Sequence, residues 1–247
     1  MRTLTLLMAL MLGLLTVPGE ENSSLAKENG YVINLDRAEK LEKMTYSSLF
    51  SKAGIIVLED TDESLLGKVD KLEVCDNNLY VLEKGRGLFL FNKQGKFIKM
   101  IGRKGKGPGE YIDPDDISID RENKKIYVLD SQTQNVLKYS GNGTFESLFK
   151  LENKGTRSTF IQPFKNALYT NLYTFDKSGK RFLLSKVDVT NGKRISFQFE
   201  ASQYNKGWNE LFSTDQHTFI SGPTGNPKFM QIFMDTIFEI TPKGIKP

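Results

Sequence analysis

Short runs of β-branched, aromatic and leucine residues alternate with turn residues through most of the chain. The turns at residues 93–95 and 142–143 contain glycine, asparagine or glutamine between two such runs. Runs of this length are too short for helices and are spaced like strands joined by hairpins. Polar and apolar residues alternate from Asp116 to Asp120, which predicts a strand with Ile117 and Ile119 on one face. The pattern predicts an all-β fold.

One pattern occurs twice along the chain. The run around Tyr80 returns at Tyr127, 47 residues later, and the run around Phe97 returns at Phe145, 48 residues later. Four strands in such a period are typical of a propeller blade, whose sheet buries its faces against neighbouring blades. Weaker echoes occur at 167–170 with 183–188 and at 218–220 with 236–240. The clearest blade is predicted to comprise the strands Pro114–Ile119, Lys125–Asp130, Val136–Tyr139 and Phe145–Phe149.

A glycine-rich passage, Gly102–Gly109, precedes Glu110 and Tyr111 and lies between the two repeats. Together with the strands that follow, it resembles an NHL-type propeller repeat. From Tyr31 onward, the chain is more closely similar to the bacterial exported six-bladed β-propeller family, which has a Gly-x-Gly-Pro-Gly-Glu-aromatic signature between blades. The resemblance implies a propeller at the cell envelope and leaves the ligand open.

The length of the chain does not suit six blades. Six repeats of this size would need roughly 280 residues, whereas the chain has 247 and ends within a fourth unit. We therefore expect an incomplete, C-terminally truncated NHL-like ring of three to four four-stranded blades. By resemblance, Tyr31–Asp36 and Ile55–Glu59 would be strands of the closing blade. Without its C-terminal partner, that sheet and the fourth blade would present open edges that favour self-association.

The N-terminus carries an apolar run, Leu4–Val17, between a positive start and a polar segment. The run is shorter than the roughly 20 residues that span a bilayer and matches the core of a secretory signal. We expect a signal peptide at 1–19, a polar linker at 20–30 and the partial propeller at 31–247. No cysteine follows the run to carry a bacterial lipid anchor. We expect a protein of the periplasm or cell surface without a stable membrane span.

The amino-acid composition argues against several kinds of site and partner. One cysteine excludes an internal disulfide and a thiolate-rich metal site, and one histidine leaves most histidine-based metal chemistry without ligands. The 34 basic and 30 acidic residues are interspersed and give a net charge of +4, so no stripe for nucleic acid is visible. We expect no nucleic-acid partner, no metal and no cofactor.

The loop Gly102–Gly109 carries Arg103, Lys104 and Lys106, and its backbone amides could cradle a phosphate. It lacks the Gly-Lys-Ser/Thr of a P-loop, and Pro114 and a strand follow it instead of the helix that dinucleotide binding requires. A connector whose glycines permit positive φ is the favoured interpretation. The three cations are kept as weak binding candidates.

Other single residues have a structural interpretation beside the functional one. Trp208, in a loop-like stretch, could stack on a sugar or peptide and is the fourth weak binding candidate, although covering the side of a blade is favoured. His217 has no nucleophile motif nearby, and Cys75 is interpreted as a small buried thiol at a strand end.

Acidic residues provide the remaining candidate chemistry. The cluster of Asp113, Asp115, Asp116 and Asp120 lacks an EF-hand pattern and is interpreted as a solvated strand entrance instead of a calcium site. Propeller lactonases hold a central metal with acidic and amide side chains. The residues considered for that role are Glu59, Asp76, Asn77, Asp116 and Asp130, but no spacing ties them to the channel.

Two functions remain open at this point. The favoured one is a non-catalytic exported propeller that binds a protein, peptide or glycan in the cell envelope. The alternative is a metal-dependent, lactonase-like propeller hydrolase. The sequence assigns no catalytic residue to either function.

Overall fold

A computed structural model describes residues 43–153, 155–174, 180–204, 218–222, 225–231 and 234–247. The expected signal peptide and linker, the strand at Tyr31–Asp36, Trp208 and His217 lie outside these residues. The chain divides into the units Met1–Ile56 and Val57–Pro247. The described part of the first unit contains a short helix, α1 (Tyr46–Leu49).

Four antiparallel sheets of four strands follow one another along Val57–Pro247, and in each sheet the strands are paired in chain order. The first blade comprises β1 (Lys71–Cys75), β2 (Asn78–Glu83), β3 (Gly87–Asn92) and β4 (Phe97–Ile101). The second comprises β7 (Pro114–Asp120), β8 (Lys125–Asp130), β9 (Asn135–Ser140) and β10 (Phe145–Lys150). The third comprises β12 (Ile161–Phe164), β13 (Ala167–Asn171), β15 (Phe182–Asp188) and β16 (Arg194–Glu200). The fourth comprises β17 (Phe219–Ile220), β18 (Lys228–Phe229), β19 (Phe238–Thr241) and β20 (Gly244–Lys246).

Shorter elements connect the blades. The strands β5 (Arg103–Lys104) and β6 (Glu110–Tyr111) pair in parallel between the first and second blades. The strands β11 (Thr156–Arg157) and β14 (Tyr173–Thr174) pair antiparallel, and the helix α2 (Ala201–Tyr204) follows the third blade. Helices in the described part of the chain are too short or too polar to cross a lipid bilayer.

The prediction of an all-β, incomplete propeller is confirmed, with four blades in the described structure. In the second blade, the four observed strands agree with the predicted bounds to within one residue at each end. Tyr80 and Tyr127 are each the third residue of the second strand of their blade, and both are buried. Phe97 and Phe145 each begin the fourth strand. The repeat in the sequence is therefore a repeat of structure.

The core is divided among the interfaces between blades. Residues Leu82, Leu88, Leu90, Ile117, Ile126 and Leu137 pack between the first and second blades. Residues Leu129, Val136, Ile161, Leu168 and Val187 pack between the second and third. Residues Leu184, Phe229 and Ile240 pack between the third and fourth. Because both faces of a middle blade are covered, its strands are buried on both sides.

The other face of the first blade is covered by chain that forms no strand. Phe89 and Phe91 on this face pack against Leu58, Leu66 and Val69. In a ring of blades, a neighbouring sheet would cover this face. Here an irregular segment buries it, so the apolar surface of the blade is not left in water.

The expected strand at Ile55–Glu59 is wrong. These residues have no strand structure, and the side chains of Ile55 and Val57 are 81% and 78% exposed. Glu59 is instead held by the first blade, since its backbone N–H donates to Gly95 O at 2.7 Å and its Oε2 accepts from Phe97 N at 2.8 Å. A strand requires a partner edge, and within the described residues none pairs with this segment.

Tyr111 fastens the connection between the first and second blades. Its hydroxyl accepts from Leu88 N at 3.1 Å and donates to Ile101 O at 2.9 Å. Burial raises the pKa of Tyr111 to about 12, so the hydroxyl remains protonated at neutral pH. The ring lies against Gly102, which has a φ of +67° and leaves no room for a side chain.

Asp116 joins three blades through one buried carboxylate. Its side chain is 0% exposed, Oδ1 accepts from Lys71 Nζ of the first blade at 2.7 Å, and Oδ2 accepts from Ile161 N of the third blade at 2.8 Å. A buried carboxylate is costly unless it is paired and hydrogen-bonded, and here both oxygens are used. The interpretation of Asp116 as part of a solvated strand entrance is therefore wrong, because the first strands of adjacent blades enclose it.

We expect Gly102→Ala to destabilise the protein by about 2 kcal/mol more than Gly85→Ala, by the cost of overpacking a core. Both glycines have positive φ, so both substitutions share the backbone strain. Only at position 102 would the new Cβ meet buried atoms, Tyr111 Cε1 and Tyr139 Oη at 2.6 Å, whereas position 85 has nothing within 4 Å. Urea unfolding of the two variants measures the difference. Equal losses would mean that the contact with the tyrosines is unimportant.

We expect Asp116→Asn to lower the free energy of unfolding by about 3 kcal/mol, because Lys71 loses the counter-charge of a buried ion pair. The matched control is Asp76→Asn, which breaks the exposed Asp76–Lys124 pair at 3.3 Å and should change stability by about 0.5 kcal/mol or less. Chemical denaturation of both variants tests the contrast. Similar small changes in the stability of both variants would show that Asp116 does not stabilise the contact between blades.

Candidate functional site

The glycine-rich loop folds around the carboxylate of Glu110. Glu110 Oε1 accepts from Arg103 Nε at 2.6 Å, and Oε2 accepts from Gly107 N at 2.8 Å. The Gly107 N–H and then Arg103 lower the pKa of Glu110, against a smaller effect of desolvation. The amide and cation that would hold a phosphate are therefore already bonded to the protein's own carboxylate.

The structure separates the three cations of this loop. All three residues are exposed at the surface, and Arg103 pairs with Glu110. A further amide of the loop is also in use, since Gly105 N donates to Tyr111 O at 3.0 Å. The loop is thus a closed connector between blades, and its glycines make room for Glu110 and for the tyrosine that follows.

The acidic cluster after this loop does not converge on one point. Asp116 is buried between blades, whereas Asp120 accepts from the backbone and side-chain nitrogens of Asn123 at 3.0 and 2.8 Å. Asp115 lies 3.5 Å from Lys84; burial raises the pKa of Asp115, and Lys84 partly offsets that effect. Among the described residues, no three Asp, Glu, His or Cys side chains are grouped as a metal ion would need.

The other acids considered for a central metal hold turns and loops. The two carboxylate oxygens of Asp130 accept hydrogen bonds from Ile112 N at 2.7 Å and from Thr133 N at 3.1 Å. Glu59 accepts a hydrogen bond from Phe97 N, and Asp76 forms an exposed ion pair with Lys124. The backbone oxygen of Asn77 accepts from Lys93 N at 2.7 Å. These residues are dispersed over the blades and are not brought together. Cys75 is a buried thiol at the end of β1, as the sequence predicts.

A charged cluster at β1 was not found from the sequence. Lys71 and Glu73 alternate along β1 and so lie on one face of it. Glu73 Oε2 is 3.1 Å from Arg121 Nη2 of the second blade, and Lys71 Nζ is 3.9 Å from Glu73 Oε1. Burial raises the pKa of Glu73, while Lys71 and Arg121 oppose that effect. The alternation at β1 was visible in the sequence, but the partner Arg121 comes from the turn that follows the first strand of another blade.

A recess between the third and fourth blades is a further candidate for ligand binding. It has a volume of about 530 Å³ and is lined by Tyr169, Lys186, Ser196, Gln198 and the hairpin of residues 241–245. This volume lies in the range of small-molecule sites. Register places Tyr169 beside Lys186 and Lys186 beside Ser196, so three strands contribute one row of polar groups. The sequence contained no signal for it, because the row exists only once these strands are paired.

Comparison with solved structures found several similar chains. A crystal structure of a Bacteroides fragilis protein named as exported matches with a TM-score of 0.61 and 23% identity over 78% of this chain and 53% of that one. The chain therefore spans about half the length of that protein. A glutaminyl cyclase from Myxococcus xanthus matches with a TM-score of 0.43 and 12% identity, covering 71% of this chain and 70% of the other. A streptogramin B lyase matches with a TM-score of 0.46 and 21% identity, covering 71% and 52%.

The comparison with protein families gives a match over nearly the whole chain. No functionally curated protein matches the sequence. The family described as a domain of unknown function, DUF4934, matches residues 30–247, which include all four blades. This protein therefore belongs to the DUF4934 family.

Proposed function

We propose that this protein is a non-catalytic exported β-propeller that acts as a binding scaffold in the bacterial cell envelope. One observation carries the proposal: the carboxylates that could have supplied catalysis are bonded to the scaffold itself. Asp116 links three blades, Asp130 holds two backbone amides, and Glu110 closes the glycine-rich loop. A carboxylate whose oxygens are occupied by strong donors is a poor general base and a poor metal ligand.

The proposal includes the finer features that the sequence resemblance implies. We assign residues 1–19 to a signal peptide, 20–30 to a linker and 31–247 to part of a six-bladed, NHL-like ring with its glycine-rich signature between blades. The ligand is a protein, peptide or glycan. We also propose self-association through the open edges of the closing sheet and of the fourth blade, which the solution mass tests.

We expect the purified full-length chain to contain less than about one divalent ion for every ten molecules, since a resident metal would be stoichiometric. We also expect no hydrolysis of lactone and ester substrates after addition of Ca²⁺ or Zn²⁺. Elemental analysis and a chromogenic ester assay make the two measurements. A stoichiometric divalent ion together with metal-dependent turnover would replace this proposal by the alternative, a lactonase-like propeller hydrolase.

We expect residues 1–30 to export alkaline phosphatase fused behind them, because the enzyme folds only where its disulfides form. The control carries Leu7→Arg and Leu10→Arg within the apolar run and should leave the reporter inactive in the cytoplasm. Activity of the fusion is measured in intact cells, and mass spectrometry of the product locates the cleavage. An inactive unmodified fusion would refute the export assignment.

A further inference from the structure

An apolar segment with unused backbone groups precedes the first blade. Residues 52–59, called here the donor segment, belong to none of the described sheets. Among the described residues, no hydrogen bond reaches the backbone of residues 52–58, and Ile55 and Val57 are both exposed. Branched apolar residues such as these suit a strand. The donor segment therefore has the composition of a strand and lacks a partner edge.

The outer strand of the third blade offers such an edge. β16 is the last strand of its sheet, and its residues Ile195 and Phe197 are 58% and 46% exposed. The ring of Phe182 lies 5.5 Å from that of Phe197 and extends the apolar surface. Charged residues inside an edge strand normally prevent pairing with another chain. Lys99 interrupts β4 and Glu146 interrupts β10, whereas the five central residues of β16 carry no charge.

One antiparallel register brings the exposed apolar residues of both segments together. When Ile55 lies opposite Phe197, Val57 lies opposite Ile195, and pairs of a β-branched residue with an apolar partner stabilise a ladder. The ladder between β15 and β16 is irregular near Arg194, so the regular edge open to a partner is residues 195–200. That edge is long enough to pair with the donor segment from Lys52 to Val57.

Charge complementarity fixes the direction of this pairing. The same register sets Lys52 against Glu200 at one end and Glu59 against Lys193 at the other. Glu200 already pairs with Lys180 at 3.0 Å, but a carboxylate accepts several donors. A parallel arrangement of the same apolar residues would bring no opposite charges together. Opposite signs at both ends therefore favour the antiparallel pairing.

The position of the donor segment points to another molecule as its partner. Leu58 packs on the first blade and Glu59 is bonded to it, whereas β16 belongs to the third blade and the second blade lies between them. We propose that a second copy of this chain is the partner, and that the donor segment of one copy adds as a fifth strand to β16 of the other. The inference goes beyond the proposed binding function and does not depend on it.

The first test compares the solution mass of the full chain with that of two variants by sedimentation equilibrium. We expect Ile55→Asp and Phe197→Lys each to weaken association by at least about tenfold, because each sets a charge against an apolar side chain. The matched control is Leu148→Lys, which adds the same charge at an equally exposed residue of β10, 46%, and should leave association unchanged. A monomeric wild-type chain, or equal weakening by Phe197→Lys and Leu148→Lys, would overturn the inference.

A mixture of the two variants tests which segment binds which edge. Ile55→Asp keeps an intact β16, and Phe197→Lys keeps an intact donor segment, so an equimolar mixture should form pairs that contain one copy of each. A mass tag on one variant identifies these pairs. A mixture that stays monomeric would refute the exchange. Association that both single variants retain would come from other edges, which overturns this inference and leaves the proposed function standing.

Cysteine cross-linking tests the register. Ile55→Cys mixed with Phe197→Cys should give a disulfide-linked mixed dimer, because directly opposed residues have Cβ atoms roughly 5 Å apart. Ile55→Cys mixed with Ser196→Cys is the control and should link poorly, since a shift of one residue points the side chain to the other face. The native Cys75 is buried and common to both mixtures. Equal yields from the two mixtures would contradict the proposed register.

Discussion

The burial of apolar sheet faces between neighbouring blades is the interaction on which the structure depends. A four-stranded sheet with apolar residues on both faces is not stable alone, because each face exposes several large side chains to water. In the second blade, Ile117 faces the first blade and Leu129 faces the third, and both are fully buried. Each blade is thus stable only as part of a series, and a blade at the start of the series needs another cover. The irregular segment around Leu66 supplies that cover for the first blade.

The same interfaces contain polar groups that must be satisfied where they are buried. Asp116 meets this requirement with a lysine and a backbone amide from two different blades. Arg194 meets it with Glu152 O at 2.9 Å, Thr170 Oγ1 at 3.0 Å and the Ser185 hydroxyl. Burial lowers the pKa of Arg194 to about 10, which leaves it charged at neutral pH. These bonds fix the positions of the blades more specifically than apolar contact does.

The recess between the third and fourth blades contains polar groups that are not all paired. There Gln198 Oε1 and Lys186 remain without partners in the described structure, although the aromatic wall beside them is closely packed. Among the described residues, the oxygens of four other side chains are likewise buried without a hydrogen-bond partner: Thr156, Tyr173, Thr218 and Gln231.

The amino-acid sequence by itself determined the all-β class, the repeat of four strands and the buried side chains of the clearest blade. These features follow from the two-residue period of a strand and from turn residues, which act over a few neighbours. Only the tertiary structure decided the role of Asp116, whose partners lie 45 residues away in either direction. It also decided that Glu110 fills the glycine-rich loop, that Ile55–Glu59 is not a strand, and that Lys186 and Gln198 share a recess. Such contacts join strands that are distant along the chain, so their identity depends on register and blade packing, which local patterns do not encode.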